Sequence, residues 1–190
     1  MHPTPGNTRL TYDDFLLFPD DGKRHEIIDG EHFVTPGPNT RHQVLVGRLH
    51  FAIEQFLRQQ RGLGRVFLAP FDVVFTRWDV VEPDVLFIAG DQAGILTDKN
   101  VQGAPALVIE VLSSGTRQVD EHNKRRLFDR GGVREYWLVD PEFDVVKVFR
   151  RKADGSFPRD AELARDGHDV LTTPLMPGLA IPLEDLFAPI

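Results

Sequence analysis

Hydrophobic and polar positions follow two different periods along this chain of 190 residues. Residues 40–61 repeat apolar side chains at the spacing of an amphipathic helix, and Gly62 ends the pattern. A second helical pattern covers residues 119–130 and stops at the Gly131-Gly132 pair. The apolar runs of strand length lie at residues 65–69, 72–75, 84–88, 107–112, 135–140 and 145–149.

The remaining segments complete an ordered series of elements. Residues 25–34 predict a β-hairpin because Asp29-Gly30 is a strong two-residue turn signal. Residues 11–18 predict a short capped helix, and residues 156–190 predict short β-segments. This order indicates an α/β (α+β) fold in which helices flank a mixed β-sheet. We expect a single domain over residues 1–190, with its core at about 12–150 and a β-rich C-terminal extension at 151–190.

Two carboxylates interrupt apolar runs that otherwise predict buried strands. Asp84 follows Pro83 within the run 80–88, and Glu110 lies within the run 106–112. A buried carboxylate is costly unless it is paired, hydrogen-bonded or bound to a cation. If the two strands are neighbours, the pair invites a divalent metal ion. A metal-dependent hydrolytic site is therefore the leading hypothesis.

Lys124 is predicted to approach these carboxylates from the second helix. By helical spacing it shares a face with Asp120, Leu127 and Phe128. Because the two apolar residues must face the sheet, the lysine is directed toward the sheet as well. A cation in that position can orient a water molecule or neutralise charge on a phosphate.

Composition and charge narrow the classes of function. The chain has no cysteine, which excludes disulfides, thiolate chemistry and cysteine-ligated metals. It lacks an apolar run of about 18 residues and a signal-peptide pattern, so we expect no membrane span and a cytoplasmic location. The net charge of −7 argues against a protein that coats nucleic acid by charge alone. Residues 117–134 carry a local basic stretch, which a nuclease needs and which a solvated helix face also explains.

Several blocks of the sequence resemble the Uma2 family (DUF820), a restriction-endonuclease-like group of the PD-(D/E)XK nuclease superfamily. The blocks are residues 25–31, 82–85, 105–113, 124 and 132–141. Each block alone is a weak signal, whereas their joint order over roughly residues 12–187 is specific. The resemblance implies a restriction-endonuclease-like fold and a Mg²⁺-dependent endonuclease that hydrolyses DNA.

The resemblance also implies roles for individual residues. Asp84 and Glu110 would ligate Mg²⁺, with Mn²⁺ as a possible substitute, and Lys124 would be the catalytic lysine. Glu26 would be an additional acidic member of the site. We hypothesise that the Val111 carbonyl completes the protein ligands of the metal, because Mg²⁺ prefers oxygen ligands and keeps several waters.

Two positions depart from the family pattern. Ser114 stands where proline is usual, and His25 stands where an aromatic residue is common. In addition, Leu112 occupies the classical lysine position of the superfamily, so catalysis depends on the lysine from the helix. By analogy with nucleases of this fold we expect a homodimer, with residues 145–149 or the C-terminal apolar segments at the contact.

A purely structural interpretation stays open for each acidic candidate. Asp84 can cap a turn, and Glu110 with Lys124 can form a structural ion pair. Glu26 is equally compatible with an exposed cross-strand charge on the hairpin. Asp120 is predicted to be a helix-surface partner of the lysine rather than a ligand.

The histidines and hydroxyl residues carry weaker predictions. His42 can approach the site, but a helix-surface position is favoured. His25 and His32 are expected to face one another across the hairpin without binding a metal. The hydroxyl residues at 113, 114 and 116 favour capping of the second helix over phosphate binding.

Three classes of function follow from these observations. The first is a metal-dependent endonuclease acting on DNA. The second is a catalytically degenerate nucleic-acid-binding or assembly module, for which the acidic net charge is the main argument. The third is a metal-dependent hydrolase of another phosphoester. Loss of divalent-ion binding on replacement of Asp84 would separate the first and third from the second.

Overall fold

The computed structural model describes residues 9–35, 37–113 and 115–190 of the chain. The helices are α1 (Tyr12–Phe15), α2 (Thr40–Gln59), α3 (Arg125–Gly131) and α4 (Leu183–Leu186). Short 3₁₀ turns occupy Gly90–Ile95 and Arg165–Gly167, and a π-type turn at Val119–Lys124 leads directly into α3. The strands are β1 (Arg24–Ile28), β2 (Glu31–Thr35), β3 (Gly64–Leu68), β4 (Val73–Thr76), β5 (Asp79–Val81), β6 (Val85–Ala89), β7 (Val101–Gln102), β8 (Leu107–Val111), β9 (Glu135–Asp140), β10 (Val145–Arg150), β11 (Arg159–Ala164), β12 (Val170–Thr172) and β13 (Ala180–Pro182).

Two larger sheets and a small β12-β13 pair organise the described residues. The five-stranded sheet has the order β2-β1-β5-β4-β7, and the six-stranded sheet has the order β11-β10-β9-β8-β6-β3. Within the described strands of the larger sheet, β8 and β9 are parallel and the other neighbours are antiparallel. A parallel pair needs a crossover connection, which the π-type turn and α3 provide. The predicted mixed sheet with flanking helices is confirmed.

Local signals explain the hairpin and the long helix. Asp29 and Gly30 both have positive φ, 55° and 79°, as a tight two-residue hairpin turn requires. The Asn39 side chain caps α2 by accepting a hydrogen bond from the backbone N–H of His42 at 2.9 Å. The hairpin prediction is confirmed, and α2 ends two residues before the predicted end of its apolar pattern.

The apolar run 80–88 does not form one strand, whereas the strand predicted at 84–88 is present as β6, one residue later. β5 ends at Val81 and β6 begins at Val85, and the two strands belong to different sheets. Pro83 lies between them and has no N–H for a strand ladder, which favours the break. The chain therefore crosses from one sheet to the other at Glu82-Pro83-Asp84.

The two faces of the six-stranded sheet are covered by separate apolar layers. The layer on one face packs α2 and α4 against the odd-numbered residues of β8. The layer on the other face packs Leu127 and Phe128 of α3 against Val108 and Leu112. Glu110 lies between those last two residues in sequence and so points toward the crossover helix, as strand alternation predicts.

The segment after residue 150 contributes to the same sheet and core. β11 pairs with β10 along its length and forms the edge of the six-stranded sheet. Apolar residues of the last twenty positions, including Leu171, Met176 and Phe187, are buried in the α2 layer. Across the described ranges, no helix has both the length and the apolar character needed to cross a membrane.

We expect Leu49 on α2 to contribute strongly to stability, because its side chain is 0% exposed. Leu49→Ala should lower the free energy of unfolding by about 2–5 kcal/mol, measured by urea denaturation. Phe51→Ala on the same helix is the matched control, because Phe51 is 64% exposed, and its effect should stay within about 0.5 kcal/mol. Equal effects of the two substitutions would contradict the assignment of the buried face.

Candidate active site

Strand register brings the two candidate metal ligands together. β6 and β8 are antiparallel and pair Val85 with Ile109. One step further along this register, Asp84 stands opposite Glu110, and both carboxylates are buried. The prediction that the two apolar runs are neighbours is therefore confirmed.

The ammonium of Lys124 lies among three carboxylates. Its Nζ is 2.8 Å from Oε1 of Glu110, 2.9 Å from Oε1 of Glu26 and 3.4 Å from Oδ1 of Asp120. The lysine is only 2% exposed, so its predicted orientation toward the sheet is confirmed. The π-type turn keeps Asp120 and Lys124, four residues apart, on the same inward face.

Three residues for which a surface position was expected or left open are buried, so the expectation is wrong for Asp120 and His42, and the exposed alternative is excluded for Glu26. Glu26 is 1% exposed, and this side chain turns inward to Lys124. Its Oε1 also accepts a hydrogen bond from the backbone N–H of Glu82 at 2.9 Å. Asp120 on the π-type turn and His42 on α2 are buried as well, because these segments pack against the ends of the central strands. All three belong to the cluster around the predicted site.

Asp84 is held by donors from three distant parts of the chain. Its Oδ1 accepts a hydrogen bond from Nη1 of Arg24 at 2.9 Å. Its Oδ2 accepts bonds from Nε2 of His42 at 3.0 Å and from the backbone N–H of Val111 at 2.8 Å. Burial alone would raise the pKa of Asp84, but the bonds from His42, Arg24 and Val111 outweigh it and lower the pKa to about 2.

Arg24 is the site residue that sequence reasoning missed. Strand alternation carried a usable signal, because Arg24 and Glu26 are two residues apart on β1 and share a face. For His42 the signal was helical spacing, since Leu45 and Leu49 follow it at three and seven residues and are buried.

Burial and charge oppose one another at the lysine cluster. Burial raises the pKa of Glu110 well above its usual value, even though the Lys124 ammonium favours the ionised carboxylate. Burial also raises the pKa of Asp120. For Lys124, burial lowers the pKa, but the carboxylates of Glu110, Glu26 and Asp120 outweigh it and hold the pKa well above its usual value. The lysine therefore stays charged at neutral pH.

A small cavity lies between the side chains around Asp84 and those around Lys124. Its volume is about 20 Å³, and its lining includes Asp84, Glu110, Asp120, Lys124 and His42. Such a space is large enough for one water molecule or one ion. Two buried atoms of the lining residues, His42 Nδ1 and Asp120 Oδ1, have no hydrogen-bond partner within the described residues.

The donor set and the space suit one hard divalent cation. Carboxylate oxygens are the ligands that Mg²⁺ prefers. Within the described residues, no three His, Asp or Glu side chains already stand in a metal-binding arrangement. Cations of the protein instead hold the candidate ligands, since Arg24 bonds to Asp84 and Lys124 bonds to Glu110. The residues fit a metal in chemistry and volume, and binding requires that these internal bonds be exchanged.

The hydroxyl residues before the crossover helix bond to one another. Oγ1 of Thr116 accepts a hydrogen bond from the backbone N–H of Ser113 at 3.3 Å. The residue before the π-type turn, Gln118, makes no side-chain capping bond, so the predicted capping is not found for Ser113 and Thr116, whereas Ser114 lies outside the described residues. On the hairpin, Nδ1 of His25 and Nε2 of His32 lie 2.9 Å apart, so they face one another as expected.

Most cations of the basic stretch at residues 117–134 form ion pairs within the protein. These pairs include Arg117 with Asp140, Arg130 with Asp79 and Arg134 with Asp91, in addition to the buried Lys124. These contacts anchor the crossover to neighbouring strands and turns. The stretch is therefore largely structural.

We expect the buried ammonium to be essential for stability. Lys124→Met should lower the free energy of unfolding by about 3–5 kcal/mol, because it leaves buried carboxylates without their counter-ion. Lys152→Met is the matched control: Lys152 is 44% exposed and pairs with Asp160 on the surface. The control should change stability by no more than about 1 kcal/mol in urea denaturation. If the two lysines proved equally dispensable, the central role of Lys124 would be refuted.

Comparisons with known proteins identify the family and the fold. The model of the Uma2 family, described as "Putative restriction endonuclease", matches residues 12–184. A crystal structure of "a putative nuclease belonging to DUF820" from Anabaena variabilis ATCC 29413 is similar with a TM-score of 0.77 and 23% sequence identity. The similarity covers 94% of this chain and 98% of that chain. No curated protein matches. The structural similarity confirms the predicted fold.

Proposed function

We propose that this chain, which belongs to the Uma2 family, is a Mg²⁺-dependent endonuclease that hydrolyses phosphodiester bonds in DNA. The observation that carries the proposal is the convergence of Asp84, Glu110 and Lys124 on one cavity. These residues come from two neighbouring strands and the crossover between strands, and local sequence does not require them to meet. The family match supports a nuclease and a nucleic-acid substrate.

The proposal assigns Asp84, Glu110 and the Val111 carbonyl to the metal. When bound, Mg²⁺ would lower the pKa of a coordinated water and offset negative charge on the scissile phosphate. Lys124 bonds to Oε1 of Glu110, whereas Oε2 accepts no hydrogen bond from the described residues and is the atom open to an ion. Glu26 serves as a counter-ion that keeps Lys124 in place.

His42 is a positioning residue in this scheme. Its Nε2 fixes one oxygen of Asp84 while the backbone N–H of Val111 bonds to the same oxygen. The carboxylate therefore keeps one orientation at the strand end, and less reorganisation is needed when it takes up a ligand role. Mn²⁺ as a substitute ion, a cytoplasmic location and action as a homodimer are further parts of the proposal.

Isosteric removal of the candidate ligands tests the site. Asp84→Asn and Glu110→Gln should each lower DNA cleavage at least about 100-fold, because a metal ion contributes several kcal/mol to the transition state. Plasmid nicking with Mg²⁺ provides the measurement. Asp91→Asn is the control, because Asp91 follows the opposite end of β6 and is exposed. Undiminished cleavage by Asp84→Asn would show that the active site lies elsewhere.

Removal of the metal tests the chemistry separately. Cleavage should stop with EDTA and return with Mg²⁺ or Mn²⁺, and calorimetry should detect ion binding by the wild type but not by Asp84→Asn. Ion binding together with hydrolysis of bis(p-nitrophenyl) phosphate, but not of DNA, would favour another phosphoester as substrate. Neither binding nor cleavage would favour a degenerate module in which Glu110 and Lys124 form a structural ion pair.

A further inference from the structure

The ammonium of Lys124 is engaged by the protein's own carboxylates in this structure. Lys124 is 2% exposed, and its Nζ is within hydrogen-bonding distance of both Glu110 and Glu26. An ammonium has three N–H donors, and Asp120 lies on its third side at 3.4 Å. The positive charge of Lys124 therefore balances the protein's own carboxylates. Another group must meet the negative charge of an incoming phosphate.

Arg24 has the position and the free donors for that task. Its side chain lines the cavity and is 18% exposed. The guanidinium has five N–H donors, and Nη1 bonds to Oδ1 of Asp84 at 2.9 Å. Nε and Nη2 donate no hydrogen bond to any of the described residues. Arg24 can thus hold Asp84 and still present a donor edge to a ligand.

The arrangement of charges around the cavity favours Arg24 for such a contact. Three carboxyl groups, those of Asp84, Glu110 and Asp120, line the cavity together with two permanent cations, Arg24 and Lys124. Lys124 lies against Glu110, Glu26 and Asp120, so its charge is already balanced within the protein. Among the described residues that line the cavity, Arg24 is the permanent cation that reaches solvent.

We propose that Arg24 is a catalytic residue that binds a non-bridging oxygen of the scissile phosphodiester while Nη1 keeps Asp84 oriented. The planar guanidinium matches the geometry of two phosphate oxygens, which an ammonium does not. This inference rests on the proposed function, because it assigns the substrate contact of that same site.

The test compares Arg24→Gln, Arg24→Lys and Lys23→Gln. Lys23 precedes Arg24, is 56% exposed and pairs with Asp21, so it controls for the loss of one positive charge nearby. Three quantities are measured: kcat/KM on duplex DNA with Mg²⁺, Mg²⁺ affinity by calorimetry, and DNA affinity by fluorescence anisotropy with Ca²⁺ in place of Mg²⁺. Thermal unfolding establishes whether each variant folds. If Arg24→Gln does not fold, the comparison of Arg24→Lys with the wild type decides the question.

We expect Arg24→Gln to lower kcat/KM about 100-fold, because a preorganised donor to the transition state is lost. DNA affinity should fall, whereas Mg²⁺ affinity should be unchanged or higher, since Asp84 loses a competing cation. Arg24→Lys should recover part of the lost kcat/KM, because lysine restores the positive charge but not the planar pair of guanidinium donors. Lys23→Gln should stay within about threefold of the wild type, because exposed charges are screened by salt.

Two results would overturn the inference. If the Arg24→Gln protein cleaves DNA as well as the Lys23→Gln protein does, Arg24 makes no contact with the phosphate. A loss of cleavage matched by an equal loss of Mg²⁺ affinity would show that Arg24 acts only through Asp84. If the wild type does not cleave DNA, the proposed function fails, and DNA binding alone decides: binding that depends on Arg24 supports the phosphodiester contact, and its absence refutes it.

Discussion

The buried ammonium of Lys124 is the interaction on which the rest of the site depends. Removing a charged group from water costs several kcal/mol, and the cost is offset when partners are close and well oriented. The partners of Lys124 come from three elements: Glu26 on β1, Glu110 on β8 and Asp120 on the π-type turn. One ammonium therefore joins the hairpin sheet, the main sheet and the crossover. The hydroxyl of Tyr136 adds a bond to the backbone carbonyl of Asp120 at 3.2 Å and covers this side with an aromatic ring.

The second constraint is the passage of the chain from β5 to β6. Since β6 begins only after Asp84, the ladder between β6 and β8 stops beside Val111. The backbone N–H of Val111 is buried there and needs an acceptor, which the side chain of Asp84 supplies. The same carboxylate is thus a structural substitute for a strand carbonyl and a candidate metal ligand. This double use explains why a costly buried carboxylate stands at this sheet junction.

Local periodicity predicted the orientation of single side chains of the site, whereas the meeting of Asp84 with Glu110 depends on the pairing of β6 with β8. Strand alternation and helical spacing oriented Glu110 and Lys124 toward one another, and Asp84 was exceptional as a carboxylate inside an apolar run. The contacts of Arg24 and His42 with Asp84 span 60 and 42 residues along the chain, and no local pattern encodes such distances. The passage from one sheet to the other at Glu82-Pro83-Asp84 was not predicted, for a related reason. The flanking residues are apolar on both sides, and periodicity alone cannot show that they enter different sheets.

The acidity of the chain and the proposed action on DNA are compatible for a physical reason. Most of the basic stretch is bound to acidic partners within the fold, so it offers little long-range attraction to a polyanion. The cavity is lined by three carboxyl groups and two permanent cations, and burial raises the pKa of two of those carboxyls, Glu110 and Asp120. Under the proposed function, a divalent ion and the accessible guanidinium of Arg24 would meet the charge of the phosphodiester within the site. In this scheme the attraction to the substrate is local, so the chain does not need a broad basic surface.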